Sequence, residues 1–376
     1  MNLSGQAAQR KNDHIRLANE QQSVQHSNDF DRVKLLRPTL PETHVQQRSL
    51  LTDFFGHHVS APFFINAITG GTDTATKINC ALSRIARKHH LVMAFGSANI
   101  VGKDPQRLQG FLQARQENPD GPIIINVNPT TPIETIQTLI KQLKPVALQI
   151  HVNAVQEIVM PEGERDFRWI THIKQIKDAV TLPVIVKEVG FGFDIASIGL
   201  LAQLGVDAID ISGQGGTNFA LIENSRRTEE DDFSYLADSG FSTVQSLINA
   251  QLVRRLFTEE TQQSDHARNT AADTPQTMPF IIASGGVRNP LDVLKSLVLG
   301  AQWVGVSGSF LHTLLSYGED ALDTRLTTWE QQLRSLLALY GIQRLSSVHT
   351  IDWITDSELE SYMRQMNHKC GFTSLD

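Results

Sequence analysis

The sequence predicts an α/β fold, a (β/α)₈ TIM barrel with an N-terminal extension, and three observations support this prediction. Eight apolar runs occur along the chain, each followed by a segment with helical periodicity. The runs are continuously apolar rather than alternating, which is typical of strands buried on both faces of a parallel sheet. The repeats occupy about 250 residues, the usual length of such a barrel. An open doubly wound sheet is the alternative, but eight repeats favour closure.

The predicted strands each end in a polar side chain or a glycine-rich turn. The two longest intervals between strand ends run from His151 to Lys187 and from Ser212 to Ser284. Because long connections within compact domains are often functional, we expect loops of a ligand site after the fourth and sixth strands. The predicted strands cover residues 63–68, 91–95, 122–125, 146–150, 183–186, 206–211, 280–283 and 303–306.

Capping residues predict where helices begin and end. Thr72 or Asp73 is placed to cap the helix that follows the first strand. Asn289 and Pro290 begin a later helix and Gly300 follows it, in keeping with the preferences of helix ends. The other predicted helices cover 75–89, 133–143, a stretch that ends at 204, and two helices within 309–345.

The chain divides into three predicted parts. Residues 1–60 form an N-terminal arm or lid over the site, 61–345 form the barrel, and 346–376 form a C-terminal extension. The arm is polar and contains a basic cluster at 10–14, for which a solvated helix end is the simplest interpretation. A polar stretch at 258–277 is predicted to be a mobile surface segment.

Composition and charge exclude several classes of function. The formal net charge of −7 gives no sign of nucleic-acid binding. The two cysteines, Cys80 and Cys370, form neither a disulfide framework nor a metal pattern, so we expect a cytoplasmic protein. The first residues lack the apolar core of a signal peptide, and no apolar run reaches the length of a membrane span. We therefore expect neither nucleic acid nor a membrane among the partners.

Polar side chains follow the predicted strands at equivalent positions. In barrels of this kind, reactive groups gather at the C-terminal ends of the strands. One polar residue at a strand end is usually only a rim residue, but eight at equivalent positions indicate a lined ligand pocket. These residues are Thr69, Ser97, Asn126, His151, Lys187, Ser212, Ser284 and Ser307.

Glycine-rich turns follow the last three predicted strands. The turn at 212–219 carries three glycines, which allow a positive φ and close approach of a ligand to backbone N–H groups. A glycine-rich surface turn is the alternative for this segment. The turns at 284–288 and 307–309 open helices, and helix N-termini at this place in a barrel suit a phosphate monoester. Ordinary strand-to-helix turns are the alternative.

Charged residues at two strand ends suggest specific chemistry. Lys187 lies at the end of a buried strand. A cation at this place can stabilise negative charge on a reduced redox ring. The alternative interpretation of Lys187 is an ion pair with Glu188 or Asp210. The loop after the fourth strand carries His151, which could be structural, and Glu157. A carboxylate close to a phosphate can bind Mg²⁺, but one Glu is not a metal cage, so both interpretations stay open.

Five motifs lie at the N-terminus and at the predicted strand ends. They are RKxDH at 10–14, TGG at 69–71, HxNxxQE at 151–157, GxGGTNFxxIEN at 213–224 and SGGV at 284–287. Together they resemble the type 2 isopentenyl-diphosphate isomerases, over most of the chain. The TGG and SGG turns occur in other FMN barrels, whereas HxNxxQE and GGTNFxxIEN are far more specific.

The resemblance implies an FMN-binding barrel that interconverts isopentenyl diphosphate and dimethylallyl diphosphate by an allylic proton shift. Reduced FMN would act as acid and base, because an alkene is a poor base and protonating it otherwise needs a strongly acidic side chain. NADPH would reduce the flavin, although the reaction has no net redox change, and Mg²⁺ would bind the diphosphate. The resemblance also implies a homotetramer or larger homo-oligomer.

The resemblance further implies roles for individual residues. Gln156, His151 and Glu223 are the implied catalytic residues, and Glu157 is the implied Mg²⁺ ligand. The implied substrate contacts are Arg10, Lys11, His14, Asn99, Asn153 and Gln156. The implied FMN contacts are Thr69, Gly70, Ser97, Asn126, Lys187, Ser212 and Thr217, with Gly285, Gly286, Val287, Ser307 and Gly308 as the phosphate cradle.

The chain departs from the family pattern at three places. After Ser97 the family usually carries Gln-Arg, whereas this chain has Ala98 and Asn99, which removes a guanidinium expected to bind the diphosphate. Ile68 replaces a usual Met, and Gln214 stands where a basic residue is common. We therefore expect weaker diphosphate binding or a different substrate.

Another FMN-dependent TIM-barrel oxidoreductase is the alternative function. The sequence has neither the His-x-Gly-x-Arg motif of hydroxy-acid oxidases nor the active-site Cys loop of the nucleotide dehydrogenase, which speaks against this alternative. A barrel that binds flavin without catalysis is a third hypothesis.

Overall fold

A computed structural model of the chain describes residues 3–23, 27–265 and 277–372. Its strands are β1 (Val33–Leu35), β2 (Thr52–Phe54), β3 (His57–Val59), β4 (Phe63–Ile65), β5 (Met93–Ser97), β6 (Ile123–Val127), β7 (Ala147–His151), β8 (Val184–Lys187), β9 (Ala208–Asp210), β10 (Phe280–Ser284), β11 (Trp303–Val306) and β12 (Trp353–Thr355). Its helices are α1 (Leu3–Ser23), α2 (Asp73–Lys88), α3 (Leu108–Glu117), α4 (Ile133–Leu143), α5 (Ala154–Val159), α6 (Trp169–Ala179), α7 (Ile195–Gln203), α8 (Phe219–Asn224), α9 (Thr243–Asp265), α10 (Pro290–Val298), α11 (Gly308–Tyr317), α12 (Glu319–Leu339) and α13 (Ser357–Lys369). Short 3₁₀ helices lie at Asp29–Arg32, Val45–Gln47, Asn99–Gly102, Pro105–Arg107, Glu229–Asp231, Ser234–Leu236 and Leu345–Thr350. Within the described ranges, no helix has the length and apolarity that crossing a bilayer requires.

Strands β4 to β11 form a closed parallel barrel. Each strand pairs with the next along the chain, and β11 pairs with β4 to close the barrel, with Val306 opposite Ile65. The closed barrel confirms the predicted fold class over the open doubly wound sheet. All the predicted barrel strands are present, and their bounds differ from the prediction by a few residues. The differences arise because backbone pairing can end before an apolar run ends, as on β4, or continue beyond it, as on β5.

The barrel strands are buried on both faces, as their continuous apolarity predicts. On β4, Phe63, Phe64 and Ile65 are 1 %, 2 % and 0 % exposed. The ring of Phe63 faces the helix layer, with its centroid 5.8 Å from that of Trp329. The ring of Phe64 faces the barrel interior and lies 5.8 Å from Phe54. Alternate residues of one strand thus fill two separate apolar layers.

An aromatic cluster closes the N-terminal end of the barrel. The hairpin of β2 and β3 brings Phe54 to 4.5 Å from Trp303, measured between ring centroids. The indole Nε1 of Trp303 donates a hydrogen bond to the carbonyl oxygen of Asp53 at 2.9 Å. A ligand therefore has to enter from the opposite end, where the strands have their C-termini.

Helices begin at the predicted capping residues. Thr72 rather than Asp73 caps α2, because its side chain accepts a hydrogen bond from the N–H of Ala75 at 3.1 Å. Asn289 caps α10, which begins at Pro290. Helix α4 has the predicted bounds, and α11 and α12 are the two helices expected after the last barrel strand.

Part of the predicted mobile surface segment lies in a helix. Helix α9 continues through Asp265, so residues 258–265 of that segment are helical. Each added helical turn supplies its own backbone hydrogen bonds, so a helix that packs on α7 and α13 can continue into a polar sequence. The stretch 266–276 lies outside the described residues.

The two ends of the chain are joined beside the barrel. Strand β1 pairs antiparallel with β12. Arg32 Nη1 lies 3.0 Å from a carboxylate oxygen of Asp356 and 2.6 Å from one of Glu358. The N-terminal arm and the C-terminal extension therefore support each other.

Candidate active site

A cavity opens at the C-terminal ends of the barrel strands, where barrel enzymes carry their active sites. Its empty space is about 1640 Å³, part of it continuous with solvent. The predicted site residues that line it are Lys11, His14, Thr69, Gly70, Ser97, Asn99, Asn126, His151, Asn153, Gln156, Glu157, Lys187, Ser212, Thr217, Gly285, Gly286, Val287, Ser307 and Gly308.

Two predicted site residues are not part of the described cavity wall. Glu223 lies directly behind the wall, in contact with His14 and Gln156, which do line the cavity. Arg10 has its backbone in α1, but its side chain lies outside the part of the chain that the structure describes.

A buried polar network forms the floor of the cavity. Asp210 is fully buried and accepts hydrogen bonds from Ser284 Oγ at 2.5 Å and from Asn66 Nδ2 at 2.7 Å. Lys187 Nζ lies 3.6 Å from Asp210 Oδ2 and donates to the carbonyl oxygen of Glu188 at 2.9 Å. The ion pair considered as an alternative is therefore present, and Lys187 lines the cavity as well. The floor thus holds a cation whose position is fixed by several partners.

His151 is held as a neutral imidazole at the end of β7. Asn126 Nδ2 donates to Gln149 Oε1 at 2.7 Å, which leaves Asn126 Oδ1 as the acceptor 2.7 Å from His151 Nδ1. His151 Nε2 is then the acceptor nitrogen of the ring. Burial, together with the positive charges of Lys187 and Lys11, lowers the pKa of His151 to about 4. At neutral pH, His151 can accept a hydrogen bond through Nε2 but cannot supply a proton from it.

The polar side chains of the loop after β7 hold one another in place. Asn153 Nδ2 donates to Gln156 Oε1 at 3.1 Å and to Glu157 Oε1 at 2.9 Å. Glu157 Oε2 accepts from the backbone N–H of Glu164 at 2.7 Å. Each oxygen of Glu157 therefore keeps acceptor capacity for a further ligand.

Glu157 is the one predicted metal ligand, and its surroundings limit the kind of metal site it can form. Among the residues that the structure describes, no group of three or more His, Cys, Asp or Glu side chains could hold a metal ion. The site fits only the arrangement in which one carboxylate, substrate oxygens and water complete the shell of Mg²⁺.

Glu223 is a fully buried carboxylate on α8. It accepts hydrogen bonds from Gln156 Nε2 at 2.9 Å and from Arg226 Nη1 at 2.7 Å. His14 Nε2 lies 2.8 Å from Glu223 Oε1 as a third contact. Burial alone would raise the pKa of Glu223, but these three contacts outweigh burial and lower the pKa to about 2. Glu223 is therefore ionised at neutral pH.

The loops after β9 and β10 approach each other through glycine. Gly285 has a φ of +93°, and a Cβ atom there would lie 2.0 Å from the carbonyl oxygen of Gly213. The N–H of Gly213 donates to the carbonyl oxygen of Ser284 at 3.0 Å. Only glycine permits this approach, so the sequence pattern of these turns follows from their packing.

The first turn of α11 begins directly after β11 at the rim of the cavity. Ser307 precedes it and makes no side-chain capping hydrogen bond to that turn. The unpaired N–H groups of a helix start, with the positive end of its dipole, are therefore available to an anion in the cavity.

Two serines at the strand ends have features that a bound ligand explains. Ser97 Oγ is buried without a hydrogen-bond partner among the described residues. Ser212 has a φ of +32°, a conformation that costs a non-glycine residue energy and is common at functional sites. Both line the cavity, together with Lys187 and the glycine turns. These residues fit a planar polar ring that carries a phosphate, as FMN does.

Helix α1 lies across the mouth of the cavity. Lys11 Nζ donates to the carbonyl oxygen of Gly70. The N–H of Asn218 donates to Gln21 Oε1 at 2.9 Å, and Gln21 Nε2 donates back to the carbonyl oxygen of Asn218 at 3.3 Å. Side chains of the N-terminal arm therefore complete the wall of the cavity.

Several residues of the site were not predicted. Asn66 and Gln149 of the floor lie inside predicted apolar strands, where a polar residue indicates a buried partner, so a signal was available. Arg226 lies three residues after Glu223, whose carboxylate it binds, and this spacing on a helix also predicts an ion pair. Arg325 Nη2 donates to Ser309 Oγ, in the first turn of α11, at 2.7 Å. No sequence signal places Arg325 there, because its helix lies outside every motif.

The departures from the family pattern differ in their structural consequences. Asn99 lines the cavity, so the missing guanidinium changes the site itself. Gln214 Nε2 donates to the carbonyl oxygens of Ala237 and Ser239, each at 3.2 Å, and lies outside the cavity wall. Gln214 therefore stabilises the loop at 237–239 rather than contacting the cavity.

Comparison with known families first identifies the class of protein to which this chain belongs. A family model described as FMN-dependent dehydrogenase matches residues 125–354. A solved structure of a flavocytochrome b2 mutant with benzoylformate has a TM-score of 0.63 at 15 % identity, covering 92 % of this chain and 80 % of that chain. Mandelate oxidase with (S)-2-phenylpropionate has a TM-score of 0.61 at 13 % identity, covering 93 % and 98 %. The two structures share the fold, and the family match makes this chain an FMN-dependent barrel enzyme.

Relatives of higher identity then narrow the class. An isopentenyl-diphosphate delta-isomerase of Limosilactobacillus reuteri subsp. reuteri (strain JCM 1112) is 41 % identical over 365 residues, covering 96 % of this chain and 99 % of the relative. One of Streptomyces sp. (strain CL190) is 42 % identical over 359 residues, covering 95 % and 92 %. The chain belongs to the isopentenyl-diphosphate delta-isomerase family. The resemblance of the five motifs and the predicted enzyme class are thereby confirmed.

Proposed function

We propose that this enzyme interconverts isopentenyl diphosphate and dimethylallyl diphosphate by an allylic proton shift, with reduced FMN as acid and base and Mg²⁺ on the diphosphate. Membership of the isomerase family supports the substrate pair. The observation that carries the proposal is the convergence on one cavity of a buried cation, glycine turns at a helix start, and a polar loop with one carboxylate.

The residues proposed to hold FMN are those of the floor and of the glycine turns. Lys187 would stabilise negative charge on the reduced ring, and the unpaired hydroxyl of Ser97 would bind its polar edge. Backbone N–H groups at 285–287 and at the start of α11 would bind the phosphate. When bound, the reduced flavin supplies a group that gives and takes the proton without a strongly acidic side chain. The proposed contacts are Thr69, Gly70, Ser97, Asn126, Lys187, Ser212, Thr217, Gly285, Gly286, Val287, Ser307 and Gly308.

The diphosphate is proposed to lie between α1 and the loop after β7. Lys11 contributes positive charge, and His14, Asn153 and Asn99 contribute polar contacts in the wall. Arg10 is proposed as a further contact from α1. Because Asn99 is neutral, the site has one cation fewer than the family pattern, and we expect modest diphosphate affinity.

Glu157 is the proposed protein ligand of Mg²⁺. Hydrogen bonds from Asn153 and from the backbone of Glu164 fix its carboxylate and leave acceptor capacity on both oxygens. Bound Mg²⁺ would neutralise part of the charge of the diphosphate, which offsets the missing cation at position 99.

Gln156, His151 and Glu223 are proposed to position the substrate for the proton shift. The amide of Gln156 is fixed between Asn153 and Glu223, at 3.1 Å and 2.9 Å. Glu223 is ionised and His151 is neutral at neutral pH, from their pKa values of about 2 and about 4. Neither can donate a proton at that pH. Their proposed role is therefore to orient groups around the alkene and to accept hydrogen bonds.

The remaining parts of the proposal concern the cell and the assembly. NADPH as the reductant, a cytoplasmic location, and residues 1–60 as a lid are supported by the resemblance. A homotetramer or larger homo-oligomer is supported by the resemblance. Light scattering coupled to gel filtration tests the assembly, and a monomer mass across all concentrations would contradict it.

An anaerobic assay that omits one component at a time tests the reaction. With isopentenyl diphosphate, FMN, NADPH and Mg²⁺ present, we expect dimethylallyl diphosphate to form, and we expect the rate to collapse when FMN, NADPH or Mg²⁺ is left out. We expect far less than one NADPH to be consumed per product. Stoichiometric NADPH consumption would instead support an oxidoreductase, and a yellow protein without turnover would support a non-catalytic flavin barrel.

A further inference from the structure

A second polar cavity lies outside the barrel, where the N-terminal arm meets the end of α12. Its empty space is about 670 Å³, including the part that is open to solvent. Thr43 Oγ1 donates to the carbonyl oxygen of Ala338 at 2.5 Å and so attaches the wall to α12. The residues that line this cavity are Glu42, Thr43, His44, Gln47, Arg48 and Gln343.

Arg48 is a buried cation with no partner in the part of the chain that the structure describes. It is 9 % exposed, and its Nε atom is buried with no hydrogen-bond partner. Among the described residues, no ion pair or side-chain hydrogen bond of Arg48 occurs. A guanidinium N–H that is buried without a hydrogen-bond partner is unfavourable. Such a guanidinium in the wall of an open cavity indicates that an anion completes the site.

Two other partly buried arginines of this chain, Arg226 and Arg288, have the carboxylate partners that Arg48 lacks. Arg226 pairs with Glu223 at 2.7 Å and with Glu162 at 2.9 Å. Arg288 pairs with Asp31 at 2.7 Å. Glu42 is the carboxylate in the wall around Arg48, but it is exposed and does not reach ion-pair distance.

The neutral side chains around Arg48 supply further hydrogen-bond donors. His44 Nδ1 accepts from the backbone N–H of Gln46 at 3.2 Å, so in the neutral ring the proton sits on Nε2, which is a donor. Gln47 and Gln343 each bring an amide. Donors from separate chain segments around a guanidinium suit a tetrahedral oxyanion better than a planar carboxylate, which the guanidinium fork alone would satisfy.

We propose that this cavity binds a small oxyanion of the phosphate class, held by Arg48 with Gln47, Gln343 and His44. The bound anion joins the arm at 42–48 to the segment after α12 and stabilises the folded chain. The proposal does not rest on the isomerase function, because none of these residues lines the cavity at the barrel mouth.

Thermal unfolding with inorganic phosphate tests the site. The oxidised, FMN-loaded enzyme is saturated with isopentenyl diphosphate to fill the barrel mouth, and phosphate is titrated at constant ionic strength. We expect a saturable rise in Tm, half complete on the order of 1 mM phosphate. Arg48→Met should abolish the rise. Arg344→Met is the matched control, because Arg344 is exposed beside Gln343 but does not line the cavity, and it should keep the rise.

Three further measurements complete the test. Without phosphate, Arg48→Met should melt at or above the wild-type temperature, because it removes an unpartnered charge. Arg48→Lys, which keeps the charge but loses the fork, should raise the half-saturating phosphate several-fold. Acetate at equal ionic strength should produce little shift. The proposal is overturned if wild type shows no saturable rise, if Arg48→Met shows the same rise, or if the rise requires dimerisation of the enzyme.

Discussion

His151 and Glu223 lie at the same cavity but are held in different charge states by different surroundings. Burial beside two lysines keeps His151 neutral, whereas contacts with His14, Gln156 and Arg226 keep Glu223 ionised. Glu157 is a third case, because its two oxygens are only partly satisfied by Asn153 and Glu164. At the scale of single residues, the site therefore combines a neutral imidazole, an ionised carboxylate, and a second carboxylate with remaining acceptor capacity.

The proposed metal role of Glu157 predicts a specific loss. Glu157→Gln should lower kcat/KM by roughly 100-fold or more and raise the Mg²⁺ concentration needed for half activity, because the amide removes the anionic ligand. FMN affinity, measured by flavin fluorescence, should not change. Glu164→Gln is the control, since the backbone N–H of residue 164 makes the contact to Glu157. Unaltered Mg²⁺ dependence in Glu157→Gln would exclude this role.

His89 predicts a pH dependence of stability away from the site. Its ring nitrogens lie 3.3 Å from a carboxylate oxygen of Glu330 and 2.9 Å from one of Asp323, and the hydrogen bond that His89 donates to Glu330 is the foremost cause that raises the pKa of His89 despite burial. Lys88 and Arg334 face the same two carboxylates. A raised folded-state pKa stabilises the fold fully below the unfolded pKa of about 6.5, and this contribution is lost as pH rises through the folded-state value.

Denaturant unfolding between pH 5 and 9 measures this contribution. The free energy of unfolding should fall across the window that begins near pH 6.5 in the wild type, and His89→Gln should flatten that fall. His57→Gln, at an exposed position, should leave it unchanged. An identical pH profile for His89→Gln and wild type would show that the cluster contributes nothing.

At the scale of elements, α1 is the part of the cavity wall that the barrel itself does not supply. It is held over the mouth by the paired hydrogen bonds between Gln21 and Asn218 and by the contact of Asn19 with His312 at 2.9 Å. These bonds are few compared with the core of the barrel, so α1 can separate from the mouth at a lower free-energy cost than a barrel helix can.

Loosening α1 should therefore weaken substrate binding more than flavin binding. Gln21→Leu removes two hydrogen bonds worth about 2 kcal/mol together, so we expect KM to rise by up to roughly 30-fold with FMN affinity unchanged. Arg16→Gln on the exposed face of α1, which loses only the pair with Glu20, should have little effect. Equal weakening of FMN and substrate binding in Gln21→Leu would contradict a lid role of the arm.

At the scale of the whole molecule, the residues that stabilise the barrel at its N-terminal end and those that line the cavity lie at opposite ends. The hairpin of β2 and β3 closes one end with an aromatic cluster, and the cavity with its loops occupies the other. We therefore expect substitutions at the closed end to change the stability of the barrel, and substitutions at the open end to change ligand binding and turnover.

Truncation at the closed end tests this separation. Phe54 is 1 % exposed against Trp303, so Phe54→Ala should lower the free energy of unfolding by about 3–5 kcal/mol. Well below the melting temperature, kcat should stay within roughly twofold of wild type, because the change is remote from the cavity. Leu40→Ala, at a side chain that is 76 % exposed, should be nearly neutral in both assays. A large loss of kcat in folded Phe54→Ala would mean that the two ends are coupled.

The strand ends of the site could be predicted because each followed a continuous apolar run. Ser97, Lys187 and Ser284 were located in this way, and the closed barrel brings them together. Asn66 was overlooked although it interrupts such a run. Arg325 could not be found, since its contact with Ser309 joins helices whose relative position no local pattern encodes.

The sequence by itself determined the barrel, the order of its strands, the polar residues at their ends and the isomerase motifs, because periodicity, capping and spacing are local properties of the chain. The tertiary structure decided the charge states of His151 and Glu223, the ion pair of Lys187 with Asp210, and the unpartnered state of Arg48. These depend on burial and on contacts between segments far apart in the sequence, and such contacts exist only once the barrel has closed.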